Sequence, residues 1–400
     1  MKRNPAIGFV LTCVFLDALG IGLIIPVLPR LIGSLAAGAD AQTIWYGCIM
    51  ISYGLMQFFF APILGALSDR VGRRPVLLTG IAGLAIMMLV PAITSSLWAI
   101  LLSRIAGGMM SSNIVVAQAY IADVTTENSR ISSFGKIGAI FGIAFVLGPA
   151  LGGVLGEVDP RLPFVVAASI CALNFLYGLI ILPESLRAPN TMPLRWQQLN
   201  PFHAILNLTA LEGIRPFLLI ITLFTLAQSL MQVTWALYVE YRYGWSTFMI
   251  GMSIFALGIS ISLTQGLLLP RLTQKLSAQS IVRLGLTLGL CAMLTIGLSP
   301  WGWLSLMLIC VFALMGIVGP TIQGEISRQC EHTQQGVNMG AVSSLNSFTG
   351  AISPTIGTPL LMVTSRHTDN LFLAGTPYFV CAVLLAVALG IAAATDASKS

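Results

Sequence analysis

The sequence predicts an all-α membrane protein of twelve transmembrane helices, arranged as two six-helix bundles related by pseudo-symmetry. Three observations predict it. Apolar runs close to twenty residues long recur throughout the 400 residues, each long enough to cross a bilayer as a helix. The lysines and arginines between those runs fall mostly on one side. The second half of the chain echoes the first.

Composition sets the class. With 56% hydrophobic and 8% charged residues and a mean hydropathy of +0.90, the chain is unlike a soluble domain, in which about a quarter of residues are charged. The net charge of +6 raises the question of nucleic acid, but the basic residues are scattered over short loops, which membrane topology explains. No nucleic acid is expected as a partner. The seven cysteines lie mostly inside apolar runs with no framework spacing, so they read as small buried residues, with no disulfides and no metal site. No Gly-rich phosphate loop or nucleophile–base arrangement is present. The expectation is a protein that is not an enzyme and carries no cofactor.

Twelve spans fit the chain: 6–29, 43–65, 76–95, 98–121, 133–156, 162–182, 215–238, 246–269, 281–298, 300–323, 336–362 and 373–394. Lys2 and Arg3 precede the first apolar run, which is too long for the core of a signal peptide and carries Asp17 and Pro26. It is read as the first span. With the N-terminus inside, fifteen Lys and Arg residues fall in inner loops and four (Arg30, Arg161, Arg242 and Arg366) in outer ones. That bias and the even span count put both termini in the cytoplasm. The longest polar interval begins at Pro183 and divides residues 1–182 from 215–400 by a linker over 183–214. Gly138, Gly142, Gly148, Pro149, Gly152 and Gly153 of span five are echoed some two hundred residues later by Gly336, Gly340, Gly350, Pro354 and Gly357 of span eleven. Six plus six with internal repetition suits a rocking transporter with its site between the halves.

The stretch Gly65–Pro75 packs Asp69, Arg70, Arg73 and Arg74 between two apolar runs. So short and basic a turn reads as a tight cytoplasmic loop. Positive-inside bias accounts for its arginines but not for Asp69. With Asp123 and Arg130 approaching the same mouth from the end of span four, the expectation is a network of opposite charges that latches that mouth. Asp17 is the only carboxylate deep within a span. A carboxylate there is costly if ionised, so it faces protein or a water-filled cavity, as a proton carrier or a counter-charge for a cationic substrate. The alternative is a polar group hydrogen-bonded among helices. Arg104 lies about seven residues into span four, roughly 7–9 Å from Asp17 in depth, within reach of pairing with it. Such a pair either tunes proton coupling or merely ties helices one and four. Tyr53, Gln57, Asn113, Phe145, Gln228, Trp235 and Asn346 are candidates to line a drug-sized cavity, although each alone suits helix packing equally well.

Several of these stretches resemble known motifs. Gly-x-x-x-Asp-Arg-x-Gly-Arg-Arg at 65–74 resembles the loop between helices two and three of major facilitator transporters. Arg104 with Gly108, preceded by Leu101-Leu102, resembles that family's fourth-helix motif. Gly148-Pro149-Ala150-Leu151-Gly152-Gly153, with Gly142 before it, resembles the fifth-helix motif of its drug:proton antiporters. Nearly the whole chain is similar to the tetracycline-efflux branch, through 16–29, 54–62, 69–78, 121–123, 240–245 and 334–336. By that resemblance Asp17, Asp69, Arg70, Arg104 and Asp123 match functional positions. Three positions depart: Met87, Ile261 and Gly289 stand where the tetracycline pumps carry an acid, a histidine and an acid tied to metal–tetracycline handling and proton coupling. The departure weighs against tetracycline as the substrate.

The resemblance implies a proton-coupled exporter of a drug-like small molecule working by alternating access. Its partners would be that substrate, protons and the bilayer, with the monomer as the working unit. Proton-coupled uptake of a metabolite is the first alternative, and a non-transporting membrane receptor the second.

Overall fold

The computed structural model describes residues 5–111, 113–124, 127–186, 215–329 and 335–397, and every regular element among them is helical. The first half comprises α1 (Pro5–Ile24), α2 (Leu28–Leu35), α3 (Ala39–Val71), α4 (Arg73–Ile93), α5 (Leu97–Met110), α6 (Asn113–Val124), α7 (Glu127–Val158) and α8 (Leu162–Ile181). Then come α9 (Arg215–Tyr243) and α10 (Thr247–Leu263), which runs through a π turn (Thr264–Leu268) into α11 (Leu269–Thr273). The chain continues through α12 (Ala278–Leu298), α13 (Gly302–Ala313), a 3-10 turn (Leu314–Ile317) and α14 (Val318–Gln329). It ends with α15 (Gln335–Arg366), α16 (Leu371–Ala374) and α17 (Thr376–Ala397).

Among the described residues, nine helical stretches are long and apolar enough to cross a membrane. A tenth is the pair Val10–Ile24 and Leu28–Leu35, bent by 45°. The bend falls at Pro26, where the ring denies the helix a donor. Adding the shorter apolar helix Gly142–Val158 and the 32-residue α15 gives a total consistent with the twelve expected spans. Leu102, Leu173 and Ile180 are 63%, 64% and 79% exposed, and apolar surface of that kind in mid-span is matched by lipid rather than water.

The described residues cluster into two compact units. The first draws on 1–36, 48–200 and 246–255, and the second on 37–47, 201–245 and 256–400, so the boundaries cut through α3 and α10. In the first unit α1 lies along α7 and α8, while α4 packs on α8, α5 and α6. In the second, α9 lies along α15 and α17, and α12 along α17 and α13. Expected span four corresponds to α5 and α6, which fall in one candidate span, Leu97–Ile121.

Candidate functional site

Asp17 sits in the second half of α1, half-buried. The buried residues of α8 recur every three or four positions (Phe164, Ala167, Ala168, Cys171, Asn174, Gly178), which turns Asn174 into the bundle. Its Nδ2 donates to Asp17 Oδ1 at 3.1 Å and to the Cys13 carbonyl, one turn back on α1, at 3.2 Å. Asp17 borders a cavity of about 60 Å³, room for a few waters, whose walls are mostly apolar and whose other polar members are Gln57 and Ser111.

Arg104 is placed differently from the sequence expectation. It is buried, its guanidinium lies 5.6 Å from the centre of the Phe164 ring, and Nη2 meets Met88 Sδ at 3.7 Å. Among the described residues none of its contacts is a carboxylate, and its buried Nε meets no hydrogen-bond partner. Depth along a helix fixes height but not azimuth. The buried face of α5 (Ile100, Ser103, Arg104, Gly107, Gly108) directs Arg104 towards α4 and α8. A ring face is worth about 2 kcal/mol to a desolvated cation, so Phe164 supplies part of what an ion pair would. Tyr53 flanks the same place: α3 and α5 approach so closely that a Cβ at Gly108 would strike the Tyr53 backbone.

The Gly65–Pro75 turn is a connected network. Gly72, at φ 113°, takes a positive-φ conformation open to glycine, so that α3 ends and α4 begins with that single residue between them. Arg73, buried at 7% exposure, gives Nη2 to Asp69 Oδ1 at 2.5 Å, Nε to Asp123 Oδ2 at 3.1 Å and Nη1 to Ser68 Oγ at 2.6 Å. Arg74 donates Nη2 to the Leu179 carbonyl at 2.8 Å, and Arg70 lies in the last turn of α3. Two members escaped the sequence reading because they stand in the segment read as linker. Glu184 accepts from the Arg73 and Arg74 amides at 2.9 and 3.1 Å, capping the start of α4. Ser185 Oγ donates to Asp123 Oδ2 at 3.1 Å. The signal available was an acid and a hydroxyl directly after the end of span six.

The motif glycines of α7 are contact points. Gly148 meets Gly22 of α1 backbone to backbone, and a Cβ at Gly152 would run into the Leu23 carbonyl. On another face, Gly153 and Pro149 meet Gly251 of α10. Past the apolar run, Glu157 accepts from the Phe248 amide at 2.9 Å and Thr247 Oγ1 at 3.0 Å, capping α10, and pairs with Arg30 at 3.7 Å. The Phe248 amide foremost, with the Ser246 hydroxyl, holds the Glu157 carboxyl below the usual carboxylate range. In the second unit Asp40, in the first turn of α3 ahead of the span, takes a two-pronged hydrogen bond from Arg366, which holds its carboxyl low as well.

The remaining candidates are dispersed. Gln57 borders the Asp17 cavity, and Phe145 on α7 and Gln228 on α9 are half-buried. Trp235 is 2% exposed, packed edge-on to Trp245 and Tyr378 in the aromatic core of the second unit. Asn346 on α15 has a buried Oδ1 with no partner. Asn113 begins α6, and its side chain lies outside the described residues. Of the three departing positions, Gly289 is filled from across: a Cβ there would strike the Met315 side chain.

A family model described as Major Facilitator Superfamily matches residues 10–354. The chain is 34% identical over 387 residues to the tetracycline resistance protein, class C, of Escherichia coli, covering 95% of this chain and 96% of that one. It is 33% identical over 393 residues to the class D protein of Salmonella ordonez, covering 97% of each. A crystal structure of a bacterial homolog of the human lysosomal transporter Spinster matches with a TM-score of 0.75 at 14% identity, covering 98% of this chain and 97% of that one, a likeness of fold alone.

Proposed function

The chain belongs to the Major Facilitator Superfamily, and from that premise we propose that it exports a drug-sized, partly apolar compound in exchange for protons. The observation that carries the reading is Asp17, a carboxylate inside an apolar span, half-buried and bordering a small cavity. Such a group is expensive in a membrane unless it works. One proton moving inward down 100 mV yields about 2.3 kcal/mol, enough to drive a useful uphill gradient of substrate. The relatives named as tetracycline resistance proteins support the drug side of the exchange. Met87, Ile261 and the Met315-filled space at Gly289 argue against a metal–tetracycline complex as the cargo.

In this reading Asp17 carries the proton, and Arg104, in the same half of the chain, tunes its coupling. Asp69, Arg70, Arg73, Arg74 and Asp123 form the cytoplasmic latch, and Gly148, Pro149, Gly152 and Gly153 form the close helix contacts of antiport. Tyr53, Gln57, Asn113, Phe145, Gln228, Trp235 and Asn346 remain the candidate substrate contacts. The protein works as a monomer in a bacterial inner membrane, with both termini in the cytoplasm. Residues 1–182 and 215–400 act as its two moving halves.

The test is proton exchange in energised everted vesicles, challenged with a panel of lipophilic drugs that includes tetracycline. The expected result is that at least one drug collapses the proton gradient and tetracycline does not. Proton-coupled uptake of a compound instead of export would establish a symporter.

A further inference from the structure

Asn174 is fully buried, and its two amide hydrogens are both spent, one on Asp17 Oδ1 and one on the Cys13 carbonyl. Its own carbonyl oxygen, Oδ1, is buried with no hydrogen-bond partner. A buried amide with its donors satisfied and its acceptor empty is a half-made arrangement, and such groups are costly to leave so. What the arrangement lacks is a donor. An ionised carboxylate has none to give, whereas a protonated one has an O–H beside the oxygen already bound.

We infer that Asn174 holds Asp17 in both of its protonation states, donating Nδ2–H to the ionised carboxylate and accepting the O–H of the neutral acid at its otherwise unpartnered Oδ1. This rests on the reading of Asp17 as the proton site. On protonation the new hydrogen sits on Asp17 Oδ2, its O–H donates to Asn174 Oδ1, and acid and amide close a cyclic pair. On release the proton leaves to the cavity, and the Nδ2 donors stay in place. Asn174 itself neither gains nor loses a proton, so it is a positioning residue.

Other groups also surround Asp17. The titratable ones are Cys13 on α1, Cys171 on α8 and Tyr53 on α3. Gln57 and Ser111 line the same cavity. From α7, Ala144, Gly148, Pro149 and Gly152 meet α1, and α6 offers Ala117 at the cavity wall, none of them titratable. Arg104 is occupied with Phe164 and Met88.

The experiment needs no substrate. Difference infrared spectra of the purified full chain, titrated from alkaline to acid pH, identify the protonated carboxyl band of Asp17 as the band missing in Asp17→Asn. In Asn174→Leu that band is expected at higher frequency, because the Asp17 carbonyl loses its donor. In the isosteric Asn174→Asp, two carboxyls share the site, and the last proton of the pair is expected to leave at a pH at least one unit higher. Should Asn174→Leu fail to fold, the second variant carries the test alone. An Asp17-dependent band unmoved in Asn174→Leu, or a titration unmoved in Asn174→Asp, overturns the inference while leaving the proton site standing. Absence of any Asp17-dependent band in wild type sinks the proton-site reading beneath it.

Discussion

Arg73 concentrates more of the Gly65–Pro75 network in one side chain than any residue the sequence singled out. Its three guanidinium nitrogens reach three separate acceptors, two of them carboxylates, from a site where the arginine itself is buried. Removing one partner of a buried ion pair typically costs about 3–5 kcal/mol, although Asp69 is exposed enough for water to soften the loss. Asp69→Asn keeps the hydrogen-bonding shape and deletes the charge. It is expected to insert normally and to lose at least tenfold in transport, read as drug efflux against immunoblotted protein in the membrane; full activity would reduce the loop to a topology signal. Arg73→Lys is expected to lose as much, since an ammonium on a flexible stem does not reproduce a three-way planar fork. The arginines and Asp69 were legible because charge is rare in this chain. Glu184 and Asn174 were not, because they lie 111 and 157 residues from the groups they bind, with no local period linking them.

At the level of helices, α7 is fixed by what it lacks. Gly152 stands where any side chain would enter the Leu23 carbonyl of α1, whereas Gly142, in the same motif, has no atom near the place its Cβ would occupy. The two glycines look alike in sequence and differ in consequence. Gly152→Ala forces α1 and α7 apart and is expected to cost about 1–3 kcal/mol, read as a lowered thermal midpoint in detergent, with transport falling alongside. Gly142→Ala is expected to change stability by less than about 0.5 kcal/mol. Equal behaviour of the two variants would remove the packing account of the motif. The cap that Glu157 places on α10 gives a second check. Glu157→Gln keeps an acceptor but loses the charge at a helix N-terminus, a change worth about 0.3–1 kcal/mol, so amide exchange in the first turn of α10 is expected to rise about twofold to fivefold. The apolar spans were legible from hydropathy; the 45° bend at Pro26 was not read from the sequence, although the proline marks its place.

For the molecule entire, the account makes one claim: an apolar chain tolerates Asp17 because that carboxylate takes up and releases the proton that drives export. The helical membrane class and the family were legible from composition and motif resemblance, and the expected twelve spans are consistent with the helices described. The surroundings of the proton site were less so. Depth placed Arg104 near Asp17, but the azimuth of α5 sends its guanidinium to Phe164 and Met88, and the hydrogen bond to Asp17 comes from Asn174. The most direct measurement is drug-induced proton release by purified wild type and Asp17→Asn, side by side, with whichever drug of the panel collapses the gradient in vesicles. The account predicts release from wild type and a fall of at least tenfold, to background, in Asp17→Asn, with drug binding retained if the drug is uncharged. Equal proton release from the two proteins would contradict it.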